Sequence, residues 1–205
     1  MLLSKLGCSF RVEPVQVNEN PLQGEVPADY VQRMAREKAH QFKALTEDTF
    51  VLAADTIVVD EEKILGKPAS PLVAMEMLKQ LKGKDHKVIS ALVLMRLSDR
   101  KEASRLCWTT VTMRDYTEAE IESYIASGDP FDKAGAYAIQ HSGFRPVLKI
   151  EGCFTNVVGL PICHLVQLFE ESGIMYHNLQ KASCVDRRFD RPGQVYVCSF
   201  TTENL

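Results

Sequence analysis

The chain has 205 residues, 45% of them hydrophobic and 25% charged, with a formal net charge of -3 at pH 7. That length and apolar content bury one sizeable core, or at most two lobes sharing a cleft. The mildly acidic balance excludes long nucleic acid as a partner, since counterion release rewards a basic excess that this chain does not have.

No apolar run reaches the length of a bilayer span, and the opening MLLSKLGCSF lacks the cleavage site of a signal peptide. The expectation is a cytoplasmic protein with no membrane partner. Cys8, Cys107, Cys153, Cys163, Cys184 and Cys198 form no CxxC pair, so the spacing signals neither a zinc site nor a disulfide framework, and most are expected to be reduced, several of them buried.

Along the chain, turn signals separate alternating helical and strand patterns, which predicts a mixed α/β fold. PVQVNENP reads as an alternating strand ending in acid and amide residues. VPADYVQRMAREKAHQFKAL follows as a helix, with Pro27 in its first turn and Val31, Met34, Lys38 and Phe42 on one face. FVLAAD and TIVVD read as strands rich in β-branched residues. SPLVAMEMLKQLKG predicts a second helix, capped by Ser70 and ended by Gly83, with a stripe of Leu72, Met75, Leu78 and Leu81. KVISALVLM and WTTVTM are further strands. TEAEIESYIASG opens with Thr117 three residues before Glu120, a capping-box spacing, and closes at Gly128. VLKIEG is a last strand of this series, and VVGLPICHLVQLFEES is a loop entering a buried helix. The final stretch, residues 176–205, changes to scattered charge around Pro192 and Gly193 with a short candidate strand QVYVCSF. We expect one domain over residues 1–175 and an appendage over 176–205.

The charged residues of VLAADTIVVDEEKILGKP sit oddly beside so much apolar sequence. If TIVVD and KILGK form a hairpin around Glu61 and Glu62, facing positions sum to 123, so Thr56 faces Lys67 with Asp55 alongside. A buried Asp55–Lys67 salt bridge is one reading, though desolvation can cancel its Coulomb gain. Lys38, on the apolar stripe of the first helix, could simply snorkel to water. Glu19 alone reads as a solvated turn acid. Taken together, two lysines and two acids facing one cleft suit a polyphosphate, with ammonium groups balancing its charge and carboxylates holding a hard divalent cation.

AADTIVVDEEKILGKP, DKAGAYAIQ and IEGCFTNVVGLP, in this order, closely resemble the Maf family of nucleoside triphosphate pyrophosphatases over about residues 2–172. The resemblance implies an elongated twisted mixed sheet with flanking helices and a cleft between two lobes. It implies hydrolysis of a triphosphate to the monophosphate and diphosphate, with Mg²⁺ or Mn²⁺ as cofactor and a homodimer as the usual assembly. By matching motifs, Asp55 is the proton acceptor that activates water. Thr56 is linked to substrate selection, Lys38 and Lys67 bind phosphate, Glu19 shares the metal with Asp55, and Gln140 contacts the nucleobase. The DKAGAYAIQ form resembles the subfamily acting on dTTP and UTP, which points to removal of excess or non-canonical nucleotides. Asp132 and Lys133 read equally as a structural ion pair or as part of the phosphate cleft. Asn156 reads as a turn residue bonded to its own backbone.

The pattern also departs from the family. Members begin with a strand and a Ser-x-Ser-Pro-Arg-Arg turn, whereas MLLSKLGCSF aligns just after that segment. On that alignment we expect a guanidinium clamp to be missing and a strand edge to be left open, with Arg187 and Arg188 of the tail as candidate replacements. Residue 18 is Asn where Asp is usual, and SALVL stands where a Thr-Gly pair is usual. The alternative function is therefore a catalytically impaired nucleotide-binding relative with a regulatory role in cell division.

Overall fold

The computed structural model describes residues 2–43 and 49–175 and the backbone of 195–197. After a short 3-10 turn at Leu3–Leu6, an extended segment leads into helix α1, Pro27–His40. Val26 enters it in extended conformation and Pro27 takes the first turn, where a missing N–H costs nothing. Its buried face is Tyr30, Val31, Met34, Ala35 and Ala39. The helix stops sooner than the periodic pattern suggested, but Phe42 still packs on the same core.

The sheet has the order β2-β1-β3-β4-β5-β6, with β1 Phe50–Asp60, β2 Lys63–Leu65, β3 Asp85–Arg96, β4 Glu102–Met113, β5 Val147–Glu151 and β6 Val195–Val197. Every neighbouring pair is antiparallel except β5 and β6, which makes the sheet mixed. FVLAAD and TIVVD are one continuous strand. The expected hairpin register holds, with Val58↔Leu65, Val59↔Ile64 and Asp60↔Lys63 around a two-residue turn, and Glu61 takes the left-handed φ of 55° that the turn demands. The tail strand enters the sheet through its backbone, while Arg187 and Arg188 lie outside the described residues.

Helix α2, Pro71–Leu81, starts where Ser70 Oγ accepts from the Val73 N–H at 3.3 Å. Its buried residues are Ala74, Leu78 and Leu81, whereas Leu72 is 67% exposed. The buried face is thus rotated from the expected stripe, with Ala74 rather than Leu72 turned to the core and Met75 partly buried against it. Helix α3, Glu118–Ala126, carries the complete Thr117–Glu120 capping box. Helices α4, Phe154–Val157, and α5, Ile162–Glu171, complete the fold.

Strand alternation sends Val51, Ala53, Ile57 and Val59 of β1 into a core cluster under α1, and Leu52 and Ala54 into another under α5. A third cluster lies beyond Val58, built from α2, α3, β5 and the turns around Ala136. Cys8, Cys107 and Cys153 are thiols, in line with the expectation that most cysteines are reduced, while Cys163 is disulfide-bonded. Spacing in sequence does not reveal which cysteines the fold brings together. Among the described residues, no helix is long and apolar enough to cross a membrane.

Candidate active site

β1 pairs with β3 along its length, but on its other side, among the described residues, it pairs with β2 only from Val58 to Asp60. The edge of residues 50–57 is left beside a groove of about 1140 Å³, whose lining includes Lys38, Val51, Ala53, Ala54, Gly159 and Leu160. Asp55 projects from this edge strand toward α1. Lys38 Nζ lies 2.5 Å from Asp55 Oδ1 and 3.3 Å from Glu19 Oε1. The Asp55 and Lys38 side chains are 16% and 20% exposed, and Glu19 is open to solvent.

Glu19 reaches Lys38 because its irregular segment is tied down. Tyr30 donates to the Glu19 carbonyl at 2.8 Å. Arg33 donates to both oxygens of Glu25 at 2.6 and 2.8 Å and to the Asn20 carbonyl at 3.1 Å. The Arg33 guanidinium holds the Glu25 carboxyl at about 2. Tyr30, Glu25 and Arg33 are thus supports that sequence reasoning missed, since they join the helix to an irregular segment that has no periodicity.

Burial is the largest influence on both partners of the Asp55–Lys38 pair. It pushes the Asp55 carboxyl up, against the hydrogen bond and charge of Lys38. It pulls the Lys38 ammonium down, but the Asp55 and Glu19 carboxylates raise it overall. A carboxyl poised in this way can accept a proton from water without being locked in its charged form.

Lys67 is exposed in the Gly66-Lys67-Pro68 segment after β2. The hairpin ladder ends at Val58↔Leu65, so Thr56 does not face Lys67 as expected and is paired with Ser90 of β3 instead. Pro68 has no N–H with which to continue the ladder. The positive charge of Lys67 is felt at both Asp55 and Asp132, opposing the upward push of burial at Asp55. The segment is fixed by the Gly135 N–H, which donates to the Gly66 carbonyl at 3.1 Å. Asp132 and Lys133 form an ion pair, with Asp129 3.8 Å from the same ammonium, and border this turn.

Thr56 projects to the opposite face of β1 from Asp55. Its Oγ1 lies 2.6 Å from Ser90 Oγ and 3.3 Å from the Gly159 carbonyl. The two side chains therefore approach a common ligand only around the open edge of the strand. Gln140 is exposed in the turn after buried Ile139, and no hydrogen bond joins it to Asp55 or Lys38.

Asn156 does more than close its own turn. Fully buried, its Nδ2 donates to the carbonyls of Val88 and Cys107 at 3.0 and 3.3 Å and to Thr109 Oγ1 at 2.9 Å. It fastens α4, and with it the turn carrying Gly159, to β3 and β4. The turn reading fails because a buried amide seeks partners wherever the fold supplies them.

Among the described residues, no group of three or more His, Cys, Asp or Glu side chains converges as a metal site. Asp55 and Glu19 do converge on one cation, the Lys38 ammonium, and offer hard oxygen donors.

The sequence profile of the Maf-like proteins matches residues 1–172 of the chain. A dTTP/UTP pyrophosphatase from Dehalococcoides mccartyi strain BAV1 is 45% identical over 172 residues, 84% of this chain and 77% of that protein. The protein of the same name from strain 195 is 42% identical over 201 residues, 96% of this chain and 90% of that protein. The one from Geobacter sp. strain M21 is 43% identical over 174 residues, 85% and 90% of the two chains.

Proposed function

The chain belongs to the Maf-like family, and from that premise we propose that it is a nucleoside triphosphate pyrophosphatase acting on dTTP, UTP and related or non-canonical nucleotides. The observation that carries the reading is the Asp55–Lys38–Glu19 cluster at the open edge of β1, a proton acceptor and a cation beside a groove of ligand size.

In this reaction Asp55 takes a proton from water while the water oxygen bonds to the α-phosphorus. The bond from that phosphorus to the bridging oxygen breaks, and diphosphate leaves with its electron pair. Lys38 and Lys67 balance the phosphate charge, and the Gln140 amide offers a donor and an acceptor to a pyrimidine edge. Mg²⁺ or Mn²⁺ held by Asp55 and Glu19 with substrate phosphates would neutralise charge developing on the leaving group. We assign the enzyme to the cytoplasm, where free nucleotides are met, and to a homodimeric assembly.

Diphosphate release from dTTP and UTP, with Mg²⁺ or Mn²⁺, tests the proposal against Asp55→Asn. The expected result is turnover in the wild type that falls by about 10²–10⁴-fold in the variant, the worth of a positioned general base, with nucleotide binding retained. Equal turnover in both proteins would remove Asp55 from the chemistry. Binding without turnover in the wild type would leave the nucleotide-binding, regulatory reading.

A further inference from the structure

Ser90 lies in the middle of β3 with no exposed surface, in a run from Val88 to Leu94 whose other members are all apolar. A hydroxyl in such a place is costly without a partner, and serine contributes little to strand packing. Its partner is Thr56, directly opposite on β1, with the two oxygens 2.6 Å apart. Thr56 Oγ1 is also 3.3 Å from the carbonyl oxygen of Gly159, which lines the groove. A carbonyl only accepts, so the single Thr56 proton goes to Gly159 and Ser90 must be the donor to Thr56. The order is Ser90 to Thr56 to Gly159, one proton per link.

We propose that Ser90 is a positioning residue of the nucleotide site, which sets Thr56 as a hydrogen-bond acceptor toward the nucleobase. A threonine hydroxyl has three hydrogen-bonding positions, its proton and two lone pairs, and here the proton and one lone pair are committed. The lone pair that remains can meet only a donor. Uracil and thymine present an imide N–H, whereas cytosine presents a bare nitrogen at the same ring position, so the arrangement selects UTP and dTTP over CTP. The inference rests on the reading that a triphosphate occupies the groove beside Gly159.

Calorimetric titration with the α,β-imido analogues of UTP and CTP tests it on the full chain. The proteins are the wild type, Ser90→Ala, Ser90→Thr, Thr56→Val and the Ser90→Ala/Thr56→Val double variant. The wild type is expected to prefer the UTP analogue. Ser90→Ala should weaken that analogue about five- to tenfold, the worth of one hydrogen bond, and leave the CTP analogue within about twofold. Thr56→Val should do the same and the double variant no worse, because both act through one link, while Ser90→Thr, which keeps the hydroxyl, should restore binding.

Equal weakening of both analogues, additive losses, unchanged binding in Ser90→Ala or no preference in the wild type would overturn the proposal. Diphosphate release from UTP by the wild type is measured alongside. Selective binding without release overturns the hydrolase reading and leaves the role of Ser90 standing. A wild type that binds neither analogue overturns both.

Discussion

Lys38 is the residue on which the candidate site turns, since its ammonium meets both carboxylates and its charge is opposed by burial. Lys38→Gln removes that charge while keeping a polar head of similar reach. The KM for UTP should rise at least about tenfold, in line with a lost charge-assisted hydrogen bond, and kcat should fall less. Steady-state diphosphate release checks the split, and an unchanged KM would show that Lys38 serves only to neutralise Asp55. Lys38 was legible in the sequence because a lysine broke an apolar stripe of helical period. Asp55 was legible because an acid interrupted a strand pattern. Ser90 and Asn156 were not, since a buried hydroxyl or amide leaves no periodic trace and their partners lie 34 to 68 residues away.

The turn at Ala134–Ala136 links DKAGAY to GKP, two motifs that the sequence presents 64 or more residues apart from neither a shared helix nor a shared strand. Gly135 has φ +70°, donates to the Gly66 carbonyl, and would bring a Cβ to 2.9 Å from Val58 Cγ1. Gly128 also has positive φ, +79°, but a Cβ there meets nothing within 4 Å. Gly128→Ala should therefore show only the left-handed backbone cost of about 1–2 kcal/mol. Gly135→Ala should add an overpacking cost of about 1–3 kcal/mol and lower turnover as Gly66 and Lys67 shift. Urea midpoints of the two variants decide the point, and equal losses would mean that Val58 yields freely. The hairpin register and the capping box were legible because both are set by neighbours in sequence. The end of the ladder before Lys67 and the exposure of Leu72 were not, because tertiary surroundings decide where an element stops and which face it buries.

Across the molecule, the order of helices and strands followed from turn residues and alternation, but the separation of Asp55 and Thr56 onto opposite faces decides how a ligand must approach. The same sheet buries a titratable group that the site does not use. His86, at the start of β3, is 3% exposed, and its Nε2 lies 2.8 Å from the Tyr137 hydroxyl. Burial lowers its pKa from 6.5 to about 4, outweighing the opposing charges of Asp60 and Asp85. An unfolded chain takes up this proton near 6.5 and the folded chain only near 4, so between those values the unfolded state binds more protons. Stability is therefore fully present above pH 6.5 and is lost as the pH falls toward 4. The share of His86 is a loss of about 2 kcal/mol between pH 8 and pH 5 at about 1.4 kcal/mol per pKa unit. His86→Phe should be less stable at pH 8, since Tyr137 loses its partner, yet should lose about 2 kcal/mol less than the wild type on going to pH 5. Urea unfolding of both proteins at the two pH values gives the comparison, with the carboxylates common to both cancelling in the difference. Parallel losses would mean that the folded protein admits a proton to His86 at its ordinary pKa, and that the core opens around it.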